Sequence, residues 1–287
     1  MSVVTFWNAL EKENAQTSSA IAIATYMAME HNIRILLIDT TFNDNTTEKA
    51  FWKKKKENKM FEELTAGKID ISSGAEGLLS AVASNHASPE VVINYTRIVF
   101  KNRLDILLGL KTPIYSDYVK MIPLYEDLIL TADKYYDIVL VDLPKGKKIQ
   151  GVDSILKISD IILYTMPPNL YNIDKYKELK EKEPLIPSKK TMPLLTKSDE
   201  SSNYNVSNTT RYIKEKKQIL TVPYNVRFME ATNEGRTTKF VTSSKLSKTA
   251  MMQNENFFNE LDNINKTIFD KLKELIKTKN IDNGGLL

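Results

Sequence analysis

The sequence predicts an α/β fold, in which helices flank a doubly wound, mostly parallel β-sheet. Seven short apolar runs, most of them rich in Ile, Leu and Val, alternate with helical stretches along the 287 residues. Continuous apolar runs are typical of central strands that are covered on both faces. Right-handed crossovers between such strands bring their carboxyl ends to one edge of the sheet, where ligands bind. The predicted strands are 3–7, 34–39, 104–108, 137–142, 161–165, 191–195 and 219–222.

The first two predicted strands enclose a helix and a polar loop, LEKENAQTSS at 10–19. Strand, loop, helix and strand in this order open phosphate-binding domains whose loop reads GxxxxGK[ST]. Aligning Thr17 and Ser18 with the hydroxyl position of that motif places Gln16 where the motif has its lysine. The positions that should hold glycine carry other residues: Lys12, Glu13 and Ala15.

Two interpretations of this loop stay open at this point. An ordinary connection would use Thr17 or Ser18 to cap a helix at Ala20. A degenerate phosphate-binding loop would have lost its charge, because Gln16 is neutral and Glu11 would repel a triphosphate. The segment by itself favours neither interpretation.

Two of the predicted strands end in an acid, at Asp39 and Asp142. Carboxylates at strand ends beside a phosphate-binding loop hold magnesium, since a hard cation prefers oxygen ligands. Either acid alone is more simply interpreted as a cap or turn residue. A metal role is favoured because both acids occur, in this order, with the strand–loop–helix unit at the start of the chain. A base-reading N-K-x-D motif is weak, because Thr196 stands in place of its asparagine.

The remaining segments complete the predicted organisation. A polar stretch at 197–208 reads as a loop, and the last strand leads through a proline-bearing loop to a short helix ending near Gly235. An amphipathic helix at 257–279 is expected to pack on the sheet, because acidic residues dilute its basic face. We expect one α/β domain over 1–250 and a C-terminal helix with a frayed tail over 251–287.

Composition excludes several classes of protein. With no cysteine, disulfides and thiolate chemistry are impossible, and the isolated His31 and His86 do not suggest a metal site. The formal net charge of +4 does not by itself indicate nucleic acid. Without a signal peptide or a long apolar segment, the expected location is the cytoplasm, with any recruitment to the membrane or cell pole left to a partner.

Taken in order, these blocks resemble the ParA/MinD family of deviant Walker P-loop ATPases (SIMIBI class), most closely its pilus-associated TadZ/CpaE branch. The resemblance runs from Val3 to about Val241, and its specificity lies in the order and spacing of the blocks. The blocks that carry it are VVTFW, TSSAIAIATYMA, RILLIDTTF, YYDIVLVDLP, SDIILYTMPP and VPYNVRFMEATNEG.

The resemblance implies a set of site residues. A vestigial nucleotide pocket would be formed by Asn14, Ala15, Gln16, Thr17, Ser18, Pro223 and Tyr224. If magnesium were bound, its ligands would be Thr17, Asp39 and Asp142. No catalytic residue is assigned, since the loop lacks the lysine and glycines of the family's KGGxGKT motif.

Three functional hypotheses follow from this loss. The first is a non-hydrolysing, ParA/MinD-like pseudo-ATPase, with no cofactor expected, that acts as a homodimeric organiser or adaptor in a pilus, secretion, conjugation or partition system. The second is an active ATPase, binding ATP and magnesium, in which Lys12 replaces the missing lysine. The third is a DNA-binding partition component that uses the basic cluster Lys53, Lys54, Lys55 and Lys56; contact with a membrane is not favoured.

Overall fold

Strands and helices alternate along the chain in the computed structural model, which describes residues 2–10, 14–53, 74–84, 88–112, 114–146 and 149–284, with side chains to 277. The strands are β1 Val3–Trp7, β2 Ile35–Asp39, β3 Arg97–Phe100, β4 Leu104–Leu107, β5 Ile138–Asp142, β6 Ile161–Met166, β7 Thr191–Ser198 and β8 Leu220–Pro223. The helices are α1 Gln16–Glu30, α2 Thr46–Phe51, α3 Ala75–Ala83, α4 Pro89–Ile93, α5 Tyr115–Met121, α6 Tyr125–Ala132, α7 Val152–Ile158, α8 Leu170–Lys182, α9 Val206–Ile213, α10 Val226–Asn233, α11 Thr237–Leu246, α12 Lys248–Gln253 and α13 Glu255–Gly284. A short 3₁₀ turn, Ile122–Leu124, joins α5 to α6.

The sheet confirms the predicted doubly wound topology. Its strand order is β3-β4-β2-β5-β1-β6-β7-β8, with β1 and β5 at the centre. All the pairings are parallel except that of β3 with β4. The sequence did not predict β3, because Arg97 and Ile98 are exposed at the sheet edge and the run lacks a continuous apolar pattern.

Helices bury both faces of the sheet, which explains the continuous apolar character of the central strands. Val3 and Trp7 of β1 belong to one hydrophobic core, and Val4 and Phe6 belong to the other. Because successive side chains of a strand point to opposite faces, every position of β1 faces a core. The carboxyl ends of β1, β5 and β6 therefore lie side by side in the middle of one sheet edge.

Two sequence-based boundaries are wrong. Helix α1 begins at Gln16 and not at Ala20, so Thr17 and Ser18 lie in its first turn and neither is the N-cap residue. The segment 197–208 is not all loop, since its first two residues end β7 and its last three begin α9. The strand predicted at 191–195 extends to Ser198, and its end was missed because the polar Lys197 and Ser198 break the apolar run that predicts a strand.

Helix α13 packs against α1 and β8 through one apolar face. Phe258 is fully buried and stacks on Tyr26, with ring centroids 5.6 Å apart, and on Phe240 at 5.8 Å. The same face carries further buried side chains: Phe257, Leu261, Ile264, Ile268 and Leu272. Among the described residues, no helix combines the length and the apolar composition that crossing a bilayer requires.

Truncating this aromatic contact tests the packing of α13. We expect Phe258→Ala to lower the free energy of unfolding by about 3–5 kcal/mol, because it removes buried apolar surface and leaves a cavity. Met252→Ala is the control, since Met252 is 74% exposed and should change stability by less than about 0.5 kcal/mol. Urea denaturation measures both changes. Equal losses in the two variants would show that α13 does not pack as described.

Candidate functional site

The turn from β1 into α1 is held in an unusual backbone conformation. Ala15, the N-cap residue of α1, has φ 56° and ψ 24°, a left-handed conformation that favours glycine. Asn14 is buried and fixes this turn: its carbonyl accepts a hydrogen bond from Thr196 Oγ1 at 2.5 Å, and its Oδ1 accepts one from the Gln16 amide at 3.1 Å. The chain thus keeps a glycine-like turn without the glycine.

Gln16 points inward and is fully buried. Its Nε2 donates to Asp142 Oδ1 at 2.8 Å and to the Leu143 carbonyl at 2.7 Å. Its Oε1 accepts from Thr165 Oγ1 at 3.0 Å. Since a glutamine amide has two N–H donors, both are used within the protein. We call these contacts the Gln16 clamp, and they tie the start of α1 to the ends of β5 and β6.

Asp39 and Asp142 lie opposite each other in the register of β2 and β5, and both are 1% exposed. Burial raises the pKa of Asp39 to about 6, although hydrogen bonds from Thr41 oppose the shift. Burial, followed by the charge of Asp39, raises the pKa of Asp142 to about 7, while hydrogen bonding with Thr17 and Gln16 and the charge of Lys145 lower it. Two adjacent acids are therefore held where ionisation is costly.

Two buried oxygen atoms at this edge have no well-formed hydrogen bond among the described residues: Thr17 Oγ1 and Asp142 Oδ2. Unpartnered hydroxyl and carboxylate oxygens suit a hard cation. The residues present therefore fit magnesium, which Thr17, Asp39 and Asp142 would hold and which, when bound, neutralises phosphate charge. The described residues contain no cluster of three or more His, Cys, Asp or Glu side chains that could form a separate metal site.

A cavity of about 300 Å³ lies between the first turn of α1 and the loop after β8. It brings together six of the predicted pocket residues: Ala15, Gln16, Thr17, Ser18, Pro223 and Tyr224. Asn14, Asp39 and Asp142 do not line it; all three are buried. A larger groove of about 650 Å³, lined among others by Thr221 and Glu260, contains only Pro223 of the predicted residues.

Sequence reasoning missed several residues that line the 300 Å³ cavity. Lys145 follows β5, Lys197 lies in β7 with φ 49°, and Asp44 precedes α2. Asn225 and Phe228 extend the wall that Pro223 begins. Lys197 is the lysine of the weak N-K-x-D match, whereas the others follow the carboxyl end of a strand within five residues and carry no other sequence signal.

Several residues that the sequence analysis names are not among those that the structure describes. Glu11, Lys12, Glu13 and His86 lie outside the described residues, as do Lys54, Lys55 and Lys56 of the basic cluster. Lys53 is described and exposed. Gly235 packs closely on its backbone, since a Cβ at Gly235 would lie 2.7 Å from the Lys53 nitrogen.

Solved structures of known proteins resemble this chain, whereas no protein-family model and no curated protein matches its sequence. A ParA family ATPase from Chlorobium tepidum superposes with a TM-score of 0.66 at 17% identity, over 88% of this chain and 98% of the ATPase. The fold is that of the ParA/MinD P-loop ATPases.

Two further structures support the ParA/MinD fold. A plasmid partition protein from Borrelia burgdorferi, bound to AMPPNP, gives a TM-score of 0.60 at 15% identity, over 94% of this chain and 98% of that protein. The MinC:MinD cell division complex of Aquifex aeolicus gives 0.58 at 14% identity, over 96% of both chains.

Because Asp39 and Asp142 are buried, we expect the free energy of unfolding to fall as the pH rises towards neutrality. Well below pH 4, both acids are protonated in the folded and unfolded states. As the pH rises from about 4 to about 7, the unfolded chain releases protons that folded Asp39 and Asp142 retain, so their contribution to folding is progressively lost. Asp142→Asn removes the ionisation of Asp142 and makes that of Asp39 less costly. The variant should therefore be more stable than wild type at pH 8 by at least about 1 kcal/mol.

Urea denaturation between about pH 4 and pH 8 measures this difference. Asp199→Asn is the control, because hydrogen bonds from Ser201 lower the pKa of this exposed carboxyl and place its titration below that range. If the free energy of unfolding changed with pH equally in wild type and Asp142→Asn, the raised pKa of Asp142 would be ruled out.

Proposed function

We propose that this protein is a non-hydrolysing relative of the ParA/MinD ATPases that works as a spatial organiser or adaptor. The observation that supports the proposal is the Gln16 clamp. At the lysine position of the phosphate loop, the chain carries a buried, neutral amide whose hydrogen bonds all serve the protein. Gln16 has no donor left for a phosphate oxygen.

Loss of the lysine bears directly on the chemistry. Phosphoryl transfer depends on positioning the phosphates and stabilising their developing charge, and the protein supplies little else. Asp142, the expected Walker B acid, is also engaged, because one of its oxygens accepts from Gln16. The site thus keeps groups that would hold a cation but lacks the lysine that stabilises the transferring phosphoryl group.

Similarity of fold suggests the kind of system in which such an organiser works. The structural neighbours include a plasmid partition protein and a MinD in complex with its protein partner MinC. We propose that the chain likewise docks a protein partner, in a partition, pilus, secretion or conjugation system. The TadZ/CpaE branch of the family, to which the sequence blocks are most similar, favours the pilus.

We further propose a homodimer that forms through the edge carrying the cavity. Exposed apolar side chains project beside the carboxyl ends of several strands, among them Tyr115, Leu170, Tyr224 and Val226. Burying these side chains against a second copy of the chain would remove apolar surface from water.

Charge placed on this edge should dissociate the homodimer. We expect Val226→Glu to shift the protein from dimer to monomer in sedimentation velocity, since a carboxylate would have to be desolvated in the interface. Ile276→Glu is the matched control, because Ile276 on α13 is 47% exposed and Val226 is 50% exposed. A wild-type protein that stays monomeric at high concentration, or a Val226→Glu variant that stays dimeric, would remove the proposed interface.

The purified protein is expected to release no phosphate from ATP and magnesium above a blank reaction. Phosphate release over hours, with Asp142→Ala as the comparison, measures this. Hydrolysis by wild type that Asp142→Ala abolishes would overturn the non-hydrolysing assignment.

That result would favour the second candidate, an active ATPase with a divergent loop. The buried Thr17 hydroxyl and Asp142 carboxylate are the observation on its side, because such oxygen ligands fit magnesium. It requires that Lys12→Ala abolish turnover while Gln16→Ala retains it, and the same assay separates these outcomes.

A further inference from the structure

We propose that the outer edge of β8 binds an extended, basic peptide segment of a partner protein, which adds to the sheet as a further strand in the 650 Å³ groove between α9 and α13. The inference goes beyond the proposed function, because it identifies a second docking surface and the chemistry of the partner that this surface accepts. Of the described residues that line the groove, only Pro223 also lines the 300 Å³ cavity.

β8 is the last strand of the sheet, so one of its edges pairs with β7 and the other faces away from the sheet. The amide of Tyr224, just after β8, donates to the Ser198 carbonyl of β7 at 2.9 Å. Because the backbone groups of successive residues point alternately to the two edges of a strand, the Thr221 N–H and C=O point outward. Among the described residues, no backbone group of a helix or loop forms a hydrogen bond with them.

Two helices flank this outer edge and form the walls of the groove. Val206 and Ile213, of α9, pack with one hydrophobic core, and Phe258 and Leu261, of α13, belong to the other. The helices therefore lie on opposite faces of the sheet, and the edge of β8 is the floor between them. The floor consists of alternate residues: Ile219, Thr221 and Pro223. An extended peptide on this floor would pair with the Thr221 backbone, as in β-strand addition.

The edge is also protected against pairing with an arbitrary strand. Pro223, the next outward position, has no N–H. Glu260 of α13 contacts the edge, because Thr221 Oγ1 donates to Glu260 Oε2 at 2.7 Å. A proline and a charged side chain are common means of keeping an edge strand from pairing with other chains. A neutral strand would bury the Glu260 carboxylate without a partner, whereas a basic strand would supply its counter-charge.

The charge of the groove favours a basic partner. Its described lining contains three carboxylates, those of Asp199, Glu200 and Glu260. None of them forms an ion pair with a described residue. Hydrogen bonds from the Ser201 hydroxyl and amide lower the pKa of Asp199, so this exposed carboxyl is ionised at neutral pH.

Lys217 supplies the single ammonium group of the described lining, and its donors are already used. Its Nζ donates to the carbonyls of Ile186, Ser188 and Thr191 at 3.0, 2.6 and 2.8 Å. Since an ammonium group has three N–H donors, none remains for the acids of the groove. Three carboxylates against one ammonium group give the described lining a net negative charge, which favours lysine or arginine side chains on the partner.

Fluorescence anisotropy of a labelled peptide in which lysine and threonine alternate, titrated with the full chain, tests the inference. We expect saturable binding, and no binding of a peptide that has glutamate in place of lysine. A third peptide keeps the lysine and threonine side chains but has methylated backbone nitrogens. It should bind roughly 10-fold more weakly, because it cannot donate hydrogen bonds to the outward carbonyls of the β8 edge.

Two triple variants test the charge of the groove. The groove variant combines Asp199→Asn, Glu200→Gln and Glu260→Gln. It should bind the lysine–threonine peptide roughly 10-fold more weakly, as for the loss of three ion pairs that water partly screens. The matched control neutralises three acids of α6 and α7 that do not line the groove: Glu126→Gln, Asp127→Asn and Asp153→Asn. The control should bind as wild type does, and circular dichroism checks that both variants fold.

Four results would overturn the inference: no peptide binding by wild type, equal binding of the lysine and glutamate peptides, equal binding of the methylated peptide, or equal affinities of the two triple variants. Self-association of the wild type that the groove variant abolishes would assign the edge to a second copy of the chain, and would also overturn it. Phosphate release, and the effect of Val226→Glu on the homodimer, report on the proposed function alone, so the failure of either proposal is distinguishable from that of the other.

Discussion

The amide of Gln16 is the contact on which the site depends. It joins α1 to the ends of β5 and β6 through three buried hydrogen bonds, to Asp142, Leu143 and Thr165. A lysine in this place would bring a charge that reaches outward to a phosphate. A glutamine brings donors and an acceptor that turn inward, because a buried amide must satisfy its own hydrogen bonds. At this position Gln16 therefore has a structural role.

The clamp also explains how two adjacent acids are tolerated in the centre of the sheet. Burial without a neighbouring cation disfavours their ionised forms. Gln16 supplies one donor to Asp142, and Thr41 supplies two to Asp39. These hydrogen bonds offset part of the desolvation and leave the pKa values of both acids raised. The carboxylate oxygens that these hydrogen bonds do not occupy remain suited to a cation.

Parallel topology decides which residues can meet at this edge. β5 and β7 are far apart in sequence, yet both place a lysine beside the cavity, at Lys145 and Lys197. A helix start, two lysines and an aromatic wall come from four separate segments. Residues that are distant in sequence therefore meet beside one cavity, since the sheet aligns these strand ends along one line.

The sequence by itself determined the architecture, because apolar runs and their spacing report directly on burial. β1 and β5, whose every position faces a core, were predicted with their carboxyl ends correct. The edge strand β3 was not predicted, because it is partly exposed, and the end of β7 was not predicted, because its last residues are polar. The family resemblance implied a pocket formed by residues 14–18 and 223–224; residues 15–18 and 223–224 line the cavity, and Asn14 does not.

Tertiary structure alone decided the chemistry of that cavity. The sequence placed a neutral residue at position 16 but could not indicate which way its amide points, because direction depends on partners more than a hundred residues away. Lys145 carried no motif and Lys197 only the weak N-K-x-D match, so their position in space is what distinguishes them from the other lysines. Local pattern specifies burial and element type, whereas the meeting of distant side chains is fixed only when the sheet is assembled.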